Sequence, residues 1–179
     1  MGCPIKVLVE ADTMWALPFL CRGWTETGPY ALPASEAWMG KLVEVVEHLV
    51  KHSQGSYRVS TTLMRGPADM LAAAMGDELM CVTMYRQPKE TRRLLELCSE
   101  LFIRIGRAQL EGIPRLQGGH VNMYGIWAPG TSIRTQNDSS SQLSPRLYEE
   151  FILCCDETIA AAFDYCVLAT HSGGFLQNI

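Results

Sequence analysis

The sequence lacks the features that mark several large classes of protein. No apolar run approaches the ~18 residues that a membrane-spanning helix needs, and no signal-peptide pattern is seen. Lysine and arginine are scattered and the formal net charge is −4, so the electrostatic footprint of a nucleic-acid-binding protein is missing. Solenoid-period repeats and low-complexity tracts are absent too. We therefore expect a cytoplasmic globular protein without a membrane or nucleic-acid partner.

Cysteine and histidine motifs are also missing. The seven cysteines include no C-x-x-C pair and most lie in apolar stretches, which predicts free, buried thiols in a reducing compartment. The adjacent Cys154 and Cys155 are expected in the core. His48 and His52 lie one helical turn apart, but in E-H-L-V-K-H rather than H-E-x-x-H, so we expect a solvated helix face. The cysteines are Cys3, Cys21, Cys81, Cys98, Cys154, Cys155 and Cys166.

What the sequence does contain is an alternation of short β-branched runs with longer amphipathic segments. With 47% hydrophobic residues, the 179 residues can bury the core of one domain, spanning 1–179. The alternation predicts an α/β fold with a parallel sheet. Strands are predicted at Ile5–Val9, Tyr57–Leu63, Val121–Trp127 and Cys166–Ala169, with a polar strand end near Arg134. Helices are predicted from Ser35 to Ser53, Pro67 to Gly76, Pro88 to Gly112, and from Ser144 onward.

Three polar residues are predicted at the carboxyl ends of neighbouring strands, where parallel α/β proteins bind ligands: Arg134, Asp138 and His171. We assign Asp138 and His171 as catalytic candidates. Asp138 could accept a hydrogen bond from a substrate N–H or position a carboxylic acid, and the alternative is an Asx turn into the following serines. His171 could act as an acid or base or ligate a metal; the alternative is a hydrogen bond to neighbouring loops.

Substrate binding is predicted for two arginines and three ring-bearing residues. The guanidinium groups of Arg65 and Arg134 suit bidentate binding of a carboxylate, and the alternative is a salt bridge at the rim, for Arg65 with Asp69. Rings in a strand more often belong to the core, but three of them could line a pocket. They are His120, Tyr124 and Trp127.

Three segments resemble the uroporphyrinogen decarboxylase superfamily of TIM barrels, which includes decarboxylases and corrinoid-linked methyltransferases. Leu63–Gly76 resembles the family's Gly-Ala-Pro strand end and the helix after it. Asn137–Phe151 resembles its acidic-Ser strand end and Leu-(Ser/Gly)-Pro helix start, and Val167–Gly174 resembles the strand with the metal-binding histidine. A complete (β/α)₈ barrel takes ~250 residues, so the resemblance implies a partial barrel that lacks its N-terminal and C-terminal parts.

The resemblance implies a carboxy-lyase that removes CO₂ from the acetate side chains of a porphyrinogen in tetrapyrrole metabolism, without metal or organic cofactor. Asp138, Arg65 and Arg134 would be supporting groups. The family's N-terminal arginines and catalytic aspartate have no counterpart here, and its tyrosine after Gly-Pro falls within Ala72–Ala74. We therefore expect the isolated chain to be inactive.

Two alternatives stay open. One is a methyltransferase-like member that acts on a methylated small molecule with a corrinoid protein, with zinc held by His171. Ser172 and Gly173 follow that histidine where the family has x-Cys, so the first thiolate ligand is absent. The other is a non-enzymatic partial barrel that is unstable alone. The implied partners are a small carboxylate or tetrapyrrole substrate and a possible homodimer.

The decarboxylase interpretation leads to a direct prediction. The purified 179-residue protein should release negligible CO₂ from a porphyrinogen in an assay that follows coproporphyrinogen formation, because the catalytic aspartate is missing. Robust CO₂ release would contradict this expectation.

Overall fold

A computed structural model describes residues 3–20 and 35–169 of the chain. Cys21, His171 and the end of the segment Val167–Gly174 lie outside the described residues. The strands are β1 (Ile5–Leu8), β2 (Thr13–Ala16), β3 (His120–Val121), β4 (Trp127–Ala128), β5 (Ser132–Gln136) and β6 (Tyr165–Ala169). The helices are α1 (Glu36–Ser53), α2 (Pro67–Met75), α3 (Asp77–Arg86), α4 (Pro88–Gly112), α5 (Pro145–Leu147) and α6 (Leu153–Ala161). None of these helices is both long and apolar enough to cross a bilayer.

Strands β5 and β6 form the predicted parallel pair. Arg134 is in register with Val167, and Gln136 with Ala169. Helices α5 and α6, joined by the π-helical turn Tyr148–Ile152, make the crossover between the two strands. The α/β class is confirmed. Among the described residues this pair holds all the parallel pairing, and no complete barrel is formed.

Helix α4 is the centre of the hydrophobic core. Its apolar residues recur at helical spacing, and Leu94, Leu95 and Cys98 are fully buried. Helices α1, α2 and α6 pack around it. Gly106 allows β5 to approach, since a Cβ there would lie 3.2 Å from Cδ1 of Ile133. One face of β5 therefore packs against helices. Because side chains alternate along a strand, the other residues of β5 lie on the opposite face.

The helix boundaries follow the local signals in the sequence. Ser35 and Ser144 each accept a hydrogen bond of 3.4 Å from the backbone N–H three residues on. Pro67 and Pro88 lie in the first turns of α2 and α4, as predicted. Gly76, with φ of +90°, separates α2 from α3, a helix that was not predicted from the sequence.

Two of the predicted strands pair differently or not at all. The strand predicted at Ile5–Val9 exists as β1, but it pairs antiparallel with β2 in a hairpin rather than joining a parallel sheet. The segment Tyr57–Leu63 is not a strand. The N–H of Thr62 there bonds Oε1 of Gln109 at 2.9 Å, so a side chain of α4 takes the place of a ladder partner.

The strand predicted at Val121–Trp127 is wrong, because a turn interrupts it. Oδ1 of Asn122 accepts the N–H groups of Tyr124 at 2.9 Å and Ile126 at 3.2 Å, which folds the backbone back on itself. Gly125 completes the turn with φ of +75°. Only the two-residue strands β3 and β4 remain on either side.

The described cysteines are free thiols, as predicted, but they are not uniformly buried. Cys98 and Cys155 lie in the core, and burial raises the pKa of Cys155 to about 12, so this thiol is inert. The expectation that Cys154 packs in the core is wrong. It is exposed because successive helix residues point in different directions, and only Cys155 faces inward.

Gly66 is the point at which the start of α2 meets the end of β5. Its N–H donates to the carbonyl oxygen of Gln136 at 2.5 Å. A Cβ at Gly66 would collide with Oδ1 of Asn137 and lie 2.7 Å from Oγ1 of Thr135. Glycine is therefore required at position 66 because the two segments approach closely, and not because the backbone adopts an unusual angle.

Substituting Gly66→Ala should lower the free energy of unfolding by about 3 kcal/mol, because a methyl group must displace buried polar side chains. Gly40→Ala, on the open surface of α1, is the matched control. It should raise stability by about 0.5–1 kcal/mol, since nothing lies near the added methyl and alanine favours helix. Urea denaturation measures both; equal small effects would contradict the packing argument.

Candidate functional site

The ends of two chain segments form a polar rim beside α2. Arg65 precedes the Gly66 junction, and Asp138 follows β5 by two residues. Asp69, in the first turn of α2, accepts the N–H of Ser139 at 2.8 Å through Oδ1. The two motifs that the sequence singled out are thus neighbours in space. Arg65 and Asp138 lie at the same end of β5.

A cavity of about 350 Å³ opens at this rim, between the β1–β2 hairpin and α2. Its walls are mainly apolar, and its charged groups are one guanidinium and two carboxylates. The small side chains of Ala72 and Ala73 on α2 leave this space open. The lining residues are Ile5, Met14, Trp15, Ala16, Pro18, Arg65, Asp69, Ala72, Ala73, Gly76, Asp77 and Ser139.

Asp69 is the carboxylate most strongly affected by this environment. The residue is 2% exposed, and Oδ2 has no hydrogen-bond partner among the described residues. Burial raises the pKa of Asp69, and the nearby charge of Asp138 adds to the rise, against hydrogen bonds from backbone N–H groups and the charge of Arg65. The salt bridge considered for Arg65 and Asp69 does not form; Asp69 bonds the Ser139 N–H instead.

Arg134 lies in the middle of β5 rather than at its end, which corrects the predicted position. The residue is 4% exposed and donates through Nη2 to Oε1 of Gln136, whose amide in turn donates to Oδ2 of Asp138. The guanidinium also lies over the ring of Tyr124, 5.4 Å from its centre. Arg134 and Asp138 therefore belong to one polar row on the face of β5 that points away from α4.

The other predicted site residues do not gather at the cavity. His120 is buried with Nδ1 2.8 Å from the carbonyl oxygen of Gly130, and Nε1 of Trp127 donates to the carbonyl oxygen of Leu116. These contacts hold the β3–β4 hairpin. Of His120, Tyr124 and Trp127, it is Tyr124 that contacts another predicted site residue, Arg134. His171 lies outside the described residues, so its convergence with Arg134 and Asp138 stays a prediction.

Zinc does not fit the groups that the structure brings together. In residues 3–20 and 35–169, no three histidine, cysteine, aspartate or glutamate side chains are arranged to hold a metal ion. These residues therefore offer no metal site for the methyltransferase alternative.

A buried carboxylate, that of Asp156, accepts a hydrogen bond from Asn137, the residue next to Asp138 of the rim. Oδ1 of Asp156 accepts the side-chain N–H of Asn137 at 2.7 Å, and Oδ2 accepts the hydroxyl of Tyr148 at 2.9 Å. Burial raises the pKa of Asp156 to about 6, although both hydrogen bonds act to lower it. Burial, with the charge of Asp156, also raises the pKa of Tyr148. Asp156 was not among the predicted site residues, although an aspartate at a core position of an apolar helix is a signal for such a group.

Comparison with known proteins supports the fold but not a family. No protein-family model and no curated protein matches the sequence. A solved structure of a methyltransferase from Methanosarcina mazei superposes with a TM-score of 0.67 over 98% of this chain, at 14% sequence identity. The match covers 49% of that protein, so this chain spans about half of its length. At this identity the likeness shows the α/β fold alone.

The buried carboxylate predicts a specific pH dependence. Folding raises the pKa of Asp156 from its ordinary value of 3.8 to about 6, so the folded state binds more protons between those values. The free energy of unfolding should therefore fall as pH rises from about 4 to about 6, by roughly 3 kcal/mol from this group, and then level off.

Asp156→Asn should remove this pH dependence, because an amide can accept from Asn137 and donate to Tyr148 without titrating. Glu157→Gln, the exposed neighbour on α6, should keep the wild-type slope. Urea unfolding at several pH values measures the difference. An unchanged slope in Asp156→Asn would show that another group titrates.

Proposed function

We propose that the chain is a methyltransferase-like domain that binds a methylated small molecule in the cavity between the β1–β2 hairpin and α2. The observation that carries this proposal is the lining of the cavity. Met14, Trp15, Ala72 and Ala73 offer apolar surface to methyl groups, while Arg65 can orient a polar end of the ligand. A volume of about 350 Å³ suits a small ligand.

The charge of the lining argues against a porphyrinogen. A substrate with several carboxylates needs several cations, and Arg65 here faces the carboxyl groups of Asp69 and Asp77. The arginines that decarboxylases carry in their N-terminal segment have no counterpart in this sequence. The decarboxylase activity stays a prediction from resemblance, with less support than methyl-group binding.

The structural likeness supports the same choice. The protein that superposes on this chain is named a methyltransferase, and the chain spans about half of it. The β1–β2 hairpin carries largely exposed apolar side chains, among them Val7, Met14 and Trp15, which is typical of a surface that further polypeptide covers. We propose that turnover needs such polypeptide and that the 179 residues alone bind without reacting. A corrinoid partner and zinc at His171 stay predictions.

Ligand binding can be tested with saturation-transfer NMR. The probes are a methylated amine, a methyl thioether, a methyl aryl ether and, as the polycarboxylate, uroporphyrin. At least one methyl compound should bind, and Ala73→Leu should weaken it about tenfold because the added side chain fills the cavity. The control is Ala37→Leu on the exposed face of α1, which should bind normally.

Two results would contradict the proposal. One is uroporphyrin binding more tightly than every methyl compound, which would favour the decarboxylase interpretation. The other is a methyl compound whose affinity Ala73→Leu leaves unchanged, which would place its binding outside the cavity.

A further inference from the structure

The guanidinium of Arg134 is buried with most of its hydrogen-bonding capacity unused. Nη2 donates to Gln136, but neither Nε nor Nη1 has a partner among the described residues, and both are shielded from solvent. No carboxylate of the described chain forms an ion pair with it. A buried, permanently charged group with two unpaired N–H positions is costly, because one neutral hydrogen bond and one ring contact do not balance its loss of solvation. Such a site is complementary to an anion.

We infer that Arg134 is a binding site for the carboxylate of a small ligand, covered in the free protein by the ring of Tyr124. The ring lies over the guanidinium at 5.4 Å and is itself 52% exposed, so it stands between the cation and solvent. On this assignment, rotation of the Tyr124 side chain uncovers the unused N–H groups. A carboxylate can then bond two of them side by side.

The turn that carries Tyr124 adds a second unused donor. Oδ1 of Asn122 accepts two backbone N–H groups of the turn, which fixes the orientation of its amide. Nδ2 of the same amide is buried without a partner among the described residues. The covering turn thus holds an oriented donor as well as the ring.

The local charge favours a carboxylate over a phosphate. Arg134 is the one cation of the polar row in β5, and Asp138 lies two hydrogen bonds away through Gln136. A single positive charge with a carboxylate nearby matches a monoanion better than a dianion. The site goes beyond the proposed methyl-group cavity, since neither Arg134 nor Tyr124 lines that cavity.

The test is an NMR titration of the ¹⁵N-labelled 179-residue protein with sodium acetate, with sodium chloride and sodium phosphate at matched ionic strength. We expect a saturable shift of the Arg134 Nε–H resonance with acetate at millimolar concentration, and a weaker response to phosphate. Arg134→Lys should weaken acetate binding about tenfold, because lysine keeps the charge but loses the planar fork.

Tyr124→Ala keeps the test decisive if Arg134→Lys fails to fold. Removing the covering ring should strengthen acetate binding about threefold or more, whereas Tyr85→Ala, an exposed tyrosine on α3, should leave it unchanged. Ala73→Leu should also leave acetate binding unchanged, so this site and the methyl-group cavity succeed or fail separately. No saturable shift in either the wild type or Tyr124→Ala, or tighter binding of phosphate than of acetate, would overturn the assignment.

Discussion

The side-chain amide of Asn137 joins three elements of the fold. Oδ1 accepts the N–H of Ala68 in the first turn of α2 at 3.1 Å, and Nδ2 donates to Asp156 on α6 at 2.7 Å. The amide is buried, so each of these bonds is costly to lose. Because Gly66 leaves room for it, the start of α2 can lie directly against the end of β5. The positions of Arg65, Asp69 and Asp138 all depend on this junction.

The alternation of β5 separates a side of the strand that faces the helices from a polar side. Ile133, Thr135 and Asn137 point toward the helices, where they pack against Gly106, Gly66 and Asp156. The residues between them, Arg134 and Gln136, form a polar row with Asp138 on the opposite face. A buried polar row of this kind does not stabilise the fold by itself, since its charges are desolvated. The carboxylate site proposed at Arg134 lies on this face, whereas the proposed methyl-group cavity lies beyond the end of the strand, beside α2.

Local signals predicted helices α1, α2 and α4 but not α3, and the strand predictions were less successful. Prolines, glycines and capping serines set the boundaries of α1, α2 and α4 within the chain itself. The segment Tyr57–Leu63 forms no ladder because the side chain of Gln109, distant in sequence, takes the place of a strand partner. Val121–Trp127 fails for a local reason, since Asn122 folds the segment into a turn. The sequence singled out Arg65 and Asp138 separately, and the structure brings their segments together through the Asp69–Ser139 contact. The junction at Asn137 was not predicted, because Asn137 and Asp156 are nineteen residues apart and no pattern links them.

Asn137 holds the start of α2 against the end of β5 through its bond to the Ala68 N–H. Amide hydrogen exchange in Asn137→Ala tests it most directly, with the Leu94 amide in the middle of α4 as the internal reference for global opening. The account predicts that protection of the Ala68 and Ser139 amides falls by clearly more than that of Leu94, because the rim opens locally. An equal loss of protection at all three amides, or no loss at Ala68, would contradict the account.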